Sequence, residues 1–339
     1  MTNQENFTMQ NKDIWTPEKI LKTSGAYWQS FTLHAAVKLD VFSLVEKGVN
    51  TPEVLAAELK ADNRALKMLL NALVSMGLIK KDGDAYQNPE PSRAFLVKNS
   101  PQYIGSIILH SYNSVKPWSS LVTAVKSGRS NKNILDMPED ERRDFLMGMN
   151  VLASINSKKA ADAVDLSGCR HLLDLGGGPG TYAICFCMEN PELKATIYDL
   201  IDSKPFADKM IGRAGLEHRI DFMAGNFVKG DIKGDYDAAW ISHILHGESF
   251  DICVKILKKA VLVMQSGSKI YVHDFILDNE HDGPLFPAVF SLNMLVNTQN
   301  GQSYTENEII NMFFKAGLRE TARLSFRGDN DSGIICGCV

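Results

Sequence analysis

Asp174, Gly176, Gly178 and Gly180 fall within HLLDLGGGPG, residues 171–180, where an apolar run stops on a carboxylate and passes through glycines to Thr181 and a helical segment. Glycine has no Cβ and tolerates positive φ, so a strand, such a turn and a helix let a ligand lie against bare main chain. Two ligand classes compete for it. A dinucleotide wants GxGxxG, whose third glycine would fall at Thr181, but the spacing here is GxGxG. A carboxylate just ahead of the glycines also suits a pyrophosphate poorly, whereas S-adenosylmethionine brings an ammonium and a sulfonium. Asp199 closes the next apolar run, KATIYDL, 19 positions after Gly180. An acidic residue about 20 residues on suits the ribose hydroxyls of either ligand. The expectation is a nucleoside, with S-adenosylmethionine favoured by Asp174; the plainer alternative is a βαβ turn with a strand-end aspartate.

A second group of reactive types lies further on: His243, His246, His273 and Asp274. Histidine and carboxylate are suitable metal ligands. The six cysteines form no CxxC pair, so reduced thiols are expected and a cysteine-zinc site is not. Phe286, Val289, Phe290 and Met294 recur at helical spacing with Asn293 and Asn297 among them. Such a stripe is commonly core packing. The asparagines argue for more, because an amide on an apolar face needs a partner.

These groups need a scaffold, and 339 residues with 45% hydrophobic content can supply two domains. From Thr16 to about Asn99 the periodicity is helical. Thr51 and Pro52 are expected to cap and open one helix, Asp62 to cap the next and Gly77 to end it. LIKKDGDAYQ then reads as a hairpin about its DG turn. Two helices and a two-stranded wing make a winged-helix arrangement. A DNA reader needs a basic face. Here Lys60, Arg64, Lys67, Lys80 and Lys81 are balanced by Glu53, Glu58, Asp62, Asp82 and Asp84, so a packing or dimerisation module is expected.

Residues 100–165 read as helices broken by Pro101, Pro117, Gly128 and Pro138. From Arg170 strand-like runs alternate with helical ones (RHLLDL, KATIYDL, RIDFMAG, YDAAWIS, SKIYVHDFIL), which predicts a doubly wound, Rossmann-like parallel α/β sheet. Thr305 and Glu308 form a capping box, Gly317 a stop, and RETARLS and SGIICGCV a terminal antiparallel pair. A parallel sheet finished by such a hairpin points to a methyltransferase rather than a dehydrogenase. The net charge of −4 gives no field to gather nucleic acid or an anionic membrane, and no apolar run or leader pattern suggests a span or export. A cytoplasmic protein acting on a small molecule is expected.

DLGGGPG, the IYDL strand end, GNF at 225–227, ISHILHGESFDIC at 241–253 and FSLNMLVNTQNGQSYTENEIINMFFKAGL at 290–318 together resemble the small-molecule O-methyltransferases of the caffeate and hydroxyindole type. The likeness spans nearly the whole chain. It implies a class I methyltransferase sheet behind an N-terminal winged-helix dimerisation domain, with boundaries expected at 1–100 for that domain, 101–165 for a helical bridge and 166–339 for the cofactor domain. It further implies that Gly176, Gly178 and Gly180 line the methionine part of S-adenosylmethionine and that Asp199 holds the ribose. Asn226 stands where the family has an aspartate near the adenine, with its amide expected to bond the exocyclic amine, and Phe227 is the following hydrophobe. Ser242 replaces a lysine that faces the cofactor in plant members.

His246 matches the family's catalytic histidine, Asp274 its acidic partner, and Trp118 a tryptophan near the acceptor entrance. Gly247 and Glu248 replace an Asp-Trp pair, and Ser303 replaces a glutamate that steadies the histidine in plant members. The acceptor pocket is expected from Trp118, Phe290, Asn293, Met294 and Asn297, with Tyr27 and Trp28 reaching into the partner's site of a homodimer. Magnesium serves the catechol-type enzymes, which lack this N-terminal domain, so no metal cofactor is expected. The expected reaction is methyl transfer to a hydroxyl of a small, aromatic molecule. Methylation of carbon or nitrogen in a pigment or secondary metabolite, and a non-catalytic S-adenosylmethionine-binding regulator, are the alternatives.

Overall fold

The computed structural model describes residues 15–130 and 137–339, and the chain divides into two compact units, residues 1–105 and 106–339. In the first, α1 (Pro17–Gly25), α2 (Tyr27–Lys38), α3 (Val41–Glu46), α4 (Pro52–Leu59) and α5 (Asn63–Ser75) precede a hairpin of β1 (Lys80–Asp82) and β2 (Ala85–Gln87) and a last helix α6 (Glu90–Leu96). Asp62 accepts from the Ala65 N–H (2.8 Å) and so caps α5. Thr51 occupies the same position on α4 in extended geometry, yet its side chain makes no capping bond; Pro52 at the first turn removes one N–H that would otherwise need it. Asp82 pairs with Ala85, so the hairpin loop is Gly83-Asp84 and not the expected DG pair. Gly83, at φ 58°, takes the left-handed place that a two-residue loop demands. Tyr86 is fully buried, with its hydroxyl 3.1 Å from Asn71 Oδ1, and pins the wing to α5.

The second unit opens with α7 (Gly105–Ser119), α8 (Leu121–Ser127) and the long α9 (Glu139–Ala163). Pro117 lies inside α7, where it has no N–H to give the preceding turn, and the helix ends two residues later at Ser119 before α8 opens at Leu121. The α/β core follows: β3 (His171–Leu175), α10 (Thr181–Glu189), β4 (Lys194–Asp199), α11 (Lys204–Ala214), β5 (Ile220–Ala224), β6 (Tyr236–Ser242), α12 (Phe250–Val261), β7 (Met264–Leu277), α13 (Leu285–Asn297), β8 (Tyr304–Thr305), α14 (Glu306–Ala316), β9 (Arg319–Arg323) and β10 (Ser332–Cys338).

The strands run β5-β4-β3-β6-β7-β10-β9, parallel from β5 to β7, with β10 antiparallel to both β7 and β9. Side chains alternate across a strand. Leu173, Ile241 and Val272 therefore pack under α12 and α14, while Leu172, Trp240 and Tyr271 pack on the opposite face with Tyr182 and Phe186 of α10. This is the doubly wound sheet with a terminal antiparallel pair that the sequence predicts. The Thr305–Glu308 capping box is present at α14. Among the described residues no helix is long and apolar enough to cross a membrane.

Candidate active site

Chain order reverses between β3, which continues outward to β4 and β5, and β6, which continues to β7. The crevice beyond the carboxyl ends of strands at such a reversal is where doubly wound sheets bind ligands. Four expected residues lie along that edge by topology alone: Gly176 after β3, Asp199 ending β4, Ser242 ending β6 and Asp274 near the end of β7.

Gly176, Gly178 and Gly180 adopt φ of 73°, 53° and 79°, the left-handed region that glycine occupies freely. A Cβ on Gly176 would come within 2.3 Å of Ile244 Cδ1, and one on Gly180 within 2.4 Å of Ile197 Cδ1. At Gly178 the nearest atoms, Asp199 Oδ2 and Leu146 Cδ2, would be 3.9 Å away, so a Cβ there would meet protein only in ordinary contact and that side of the turn is not closed by a clash. Gly178→Ala is therefore expected to weaken S-adenosylmethionine binding about tenfold or more, roughly 1.4 kcal/mol, with left-handed strain of about 1–2 kcal/mol in stability. Calorimetric titration beside thermal melting checks this, since an equal loss in ligand-free stability alone would place the methyl against protein.

Asp199 secures the turn. Its Oδ2 accepts from the Gly178 N–H (2.7 Å) and its Oδ1 from Leu200 N–H (2.6 Å) and the Ser203 hydroxyl (3.3 Å). Burial raises its pKa while the two N–H groups oppose the rise. The sequence pointed to Asp199 as a ribose ligand; its grip on Gly178 was missed. Asp174 is 1% exposed and lies beneath Gly177, and its Oδ2 has no hydrogen-bond partner. Burial, with a smaller push from Asp199 against the Ala183 N–H, raises its pKa to about 7. A desolvated carboxylate with an unmet oxygen wants a donor, and best a cationic one. The glycine turn and this oxygen fit S-adenosylmethionine.

Asn226 serves differently from expectation. Its Oδ1 accepts from Val228 N–H (2.9 Å) and Lys229 N–H (3.0 Å), which consumes both lone pairs and closes an Asx turn. The amide oxygen cannot also meet adenine's amine; only Nδ2 remains for a ligand. Lys259 of α12, absent from any sequence expectation, donates to the carbonyls of Phe227 (3.2 Å), Val228 (2.8 Å) and Gly230 (2.7 Å) and clamps the same loop. Phe227 is thereby held against Gly176, 3.5 Å from where a Cβ would stand. Lys259→Met should raise KM for S-adenosylmethionine by about tenfold with kcat little changed, the pattern of lost uniform binding, and Lys259→Arg should restore it. A fall in kcat alone would place the clamp's effect elsewhere.

Ser242 Oγ bonds His273 Nδ1 (3.0 Å), so it turns inward and replaces nothing at the crevice. His273 is fully buried, with Nε2 on Ser332 Oγ (3.0 Å) and Nδ1 also near the Tyr182 hydroxyl (3.3 Å). Burial, then the neighbouring His243, holds its pKa well below the usual value, so it is a neutral core histidine. The four-residue cluster of the sequence thus shrinks to His243, His246 and Asp274.

His246 lies in a 3-10 turn, Leu245–Gly247, after β6. Its Nδ1 bonds Asp274 Oδ1 at 2.6 Å and its backbone N–H reaches Asp274 Oδ2 at 3.3 Å. Asp274 is buried and also accepts from the Phe275 N–H (2.8 Å). Burial would raise its pKa, but the paired His246 and the nearby His243 outweigh it and hold the carboxyl well below the carboxylate range. An ionised carboxylate only accepts, so Nδ1 is the donor, and in the neutral imidazole Nε2 is then the nitrogen with the lone pair. Phe275 stacks on the His246 ring (6.0 Å, 17°), and Phe290 meets its edge (4.8 Å, 75°). Phe286 stacks on Phe290 (5.9 Å) and completes an aromatic wall.

On α13, Asn293 Oδ1 accepts from Trp118 Nε1 (2.8 Å) and from Asn297 Nδ2 (3.0 Å), so the two amides find their partners in a tryptophan and each other. Met294 is buried in the core and Val289 is exposed. Ser303 does not approach the histidine; its hydroxyl donates to the Pro287 carbonyl (2.8 Å) at 2% exposure. Burial raises the pKa of Glu248. Tyr27 and Trp28 are 57% and 69% exposed in the isolated chain.

A family model described as an O-methyltransferase domain matches residues 118–319, and one described as an O-methyltransferase dimerisation domain matches residues 21–98. The chain is 30% identical, over 95% of both chains, to 3-hydroxy-5-methyl-1-naphthoate 3-O-methyltransferase of Streptomyces sahachiroi. Human N-acetylserotonin methyltransferase, solved with S-adenosylmethionine, superposes with a TM-score of 0.84 at 26% identity over 97% of this chain and 99% of that one. PigF, named in a Serratia strain and solved with S-adenosylhomocysteine, superposes with a TM-score of 0.87 at 25% identity over 96% and 100%.

Proposed function

The chain belongs to the O-methyltransferase family, an enzyme of S-adenosylmethionine-dependent methyl transfer with a dimerisation domain, and from that premise we propose that a small aromatic hydroxyl compound is its acceptor and His246 its proton acceptor. The observation that carries this reading is the 2.6 Å His246–Asp274 pair faced by Phe275 and Phe290. When bound, S-adenosylmethionine supplies an electrophilic methyl group on a sulfonium. Gly178 leaves room for it while Gly176 and Gly180 let the turn pack against Ile244 and Ile197, Asp199 fixes the turn and offers the one remaining lone pair of Oδ2 to the ribose, and Phe227 with Asn226 forms the wall on the nucleoside side.

The acceptor's proton sets the demand on His246. A phenol has a pKa near 10 and histidine near 6.5, so full deprotonation in advance is uphill by about 4–5 kcal/mol. His246 Nε2 therefore takes the proton as the methyl arrives, and Asp274 stabilises the imidazolium and fixes its tautomer. Phe275, Phe286 and Phe290 pack the ring of the acceptor and keep water from the hydroxyl. Trp118, Asn293 and Asn297, joined by hydrogen bonds, form one rigid edge of that pocket. The dimerisation domain supports a homodimer through the first unit, with Tyr27 and Trp28 covered by the partner; we place the enzyme in the cytoplasm and in secondary metabolism, as relatives named for a naphthoate and a polyketide suggest.

The test is incubation with labelled S-adenosylmethionine and a panel of phenols, hydroxyindoles, quinols and aromatic polyketides. A product heavier by one methylene on oxygen is expected. Label transferred only to carbon or nitrogen would overturn the hydroxyl assignment.

A further inference from the structure

His243 is not required by the proton transfer just described, yet it is held beside it at some cost. Its backbone sits at φ 57°, a conformation a histidine keeps only where its surroundings over-determine it. Its N–H donates to the His273 carbonyl (2.8 Å), and its ring lies 4.6 Å from that of His273 and 4.5 Å from that of Phe275. So fixed, the imidazole presents Nδ1 at 3.6 Å from Asp274 Oδ1, too far for a hydrogen bond, and Nδ1 is buried with no other partner.

One ligand atom from each of His243, His246 and Asp274 lies within 4.8 Å of the other two. Zinc bonds of about 2.0–2.1 Å put tetrahedral ligand atoms about 3.3 Å apart. The two separations from Asp274 Oδ1, 2.6 and 3.6 Å, bracket that value. Both imidazoles retain some exposure, 27% and 13%, leaving a side open for water. Two imidazoles and one carboxylate suit borderline ions such as Zn²⁺ and Co²⁺, while Mg²⁺ prefers six oxygens.

We propose that His243, His246 and Asp274 form a binding site for a zinc-class divalent ion that reversibly inhibits the enzyme. The ion takes an imidazole nitrogen of His246 and the Asp274 oxygen that orients it, so the acceptor's proton loses its destination. The inhibition rests on the proposed role of His246; the binding does not.

The chelator-treated protein is titrated with Co²⁺ alone. One equivalent per chain with the visible bands of a four-coordinate ion is expected, and Zn²⁺ should displace them. Methyl transfer should fall with added Zn²⁺ and return with chelator. In His243→Asn, a residue that accepts left-handed backbone, the bands should vanish. The half-inhibiting zinc concentration, read against the variant's own metal-free rate, should rise at least about 10–100-fold, the scale on which losing even an outer partner weakens metal sites. Unchanged S-adenosylhomocysteine binding by the variant verifies its fold. Absence of bands in the wild type, bands of equal strength in the variant, or cobalt bound without loss of transfer each overturns the proposal. The cobalt bands need no acceptor, and failure of His246 as base is read separately from the metal-free rate of His246→Asn.

Discussion

His246→Asn should lower kcat by about 10²–10⁴-fold, the usual contribution of a positioned general base, while KM for S-adenosylmethionine stays within about twofold. Asparagine is the informative choice because its Nδ2 can still donate to Asp274, which is 3% exposed and accepts from His246 Nδ1 at 2.6 Å. Alanine would strand that carboxylate in the interior, and leaving a buried acceptor without its donor costs about 1–3 kcal/mol, more for a charged one. Its rate loss would mix chemistry with unfolding. A loss of kcat smaller than about tenfold in the asparagine variant would mean that the acceptor needs no base, as for an already nucleophilic carbon or nitrogen. Steady-state kinetics with one defined acceptor, at saturating donor, decides between them.

Asp174→Asn should raise the stability of the ligand-free protein at neutral pH and weaken donor binding about 10–100-fold, an exchange of roughly 1.4–2.7 kcal/mol. The folded protein holds this carboxyl at about 7 against an ordinary 3.8. A raised folded pKa means that the group's stabilising contribution is complete below about 4 and is lost as pH climbs to about 7, up to roughly 4 kcal/mol at 1.36 kcal/mol per unit. The asparagine has no proton to lose, so the difference in melting temperature between variant and wild type should widen across that window. A bound cation favours the ionised carboxylate. Donor affinity of the wild type should therefore improve as pH rises through about 7, where Asp174 gives up its proton, and that of the variant should not. Identical pH dependence of affinity in the two proteins would remove Asp174 from donor recognition.

Local spacing made part of this legible. GxGxG after an apolar run located the turn, because turn geometry is a property of adjacent residues. The near-continuous apolar run Leu172, Leu173, Asp174, Leu175 reads as a strand buried on both faces, as found. The Thr305–Glu308 box was equally visible. What escaped lies between elements. Lys259 reads as one more solvated helix cation until the fold brings α12 over the 226–230 loop. Asn226 reads as a ligand because its neighbours' N–H groups cannot be seen to converge on it. His243 and His273 are equivalent letters in the sequence, but their contacts separate them: one is saturated by Ser242 and Ser332, the other is left with an open nitrogen. Pro117 reads as a break, and α7 ends two residues after it, because a helix can run past a proline for only part of a turn before the missing N–H tells.

The placement of β10 bears on how the enzyme is made in the cell. Ser332–Cys338 is flanked by β7 on one side and β9 on the other, and Gly333 lies opposite Asp274 itself. During translation, β7 leaves the ribosome with that flank open and waits for more than fifty further residues before its neighbour can dock. Until then Asp274 sits on an unfinished sheet margin, so a nascent chain stalled or clipped ahead of Ser332 can hold every glycine of the turn and still lack a settled His246–Asp274 pair.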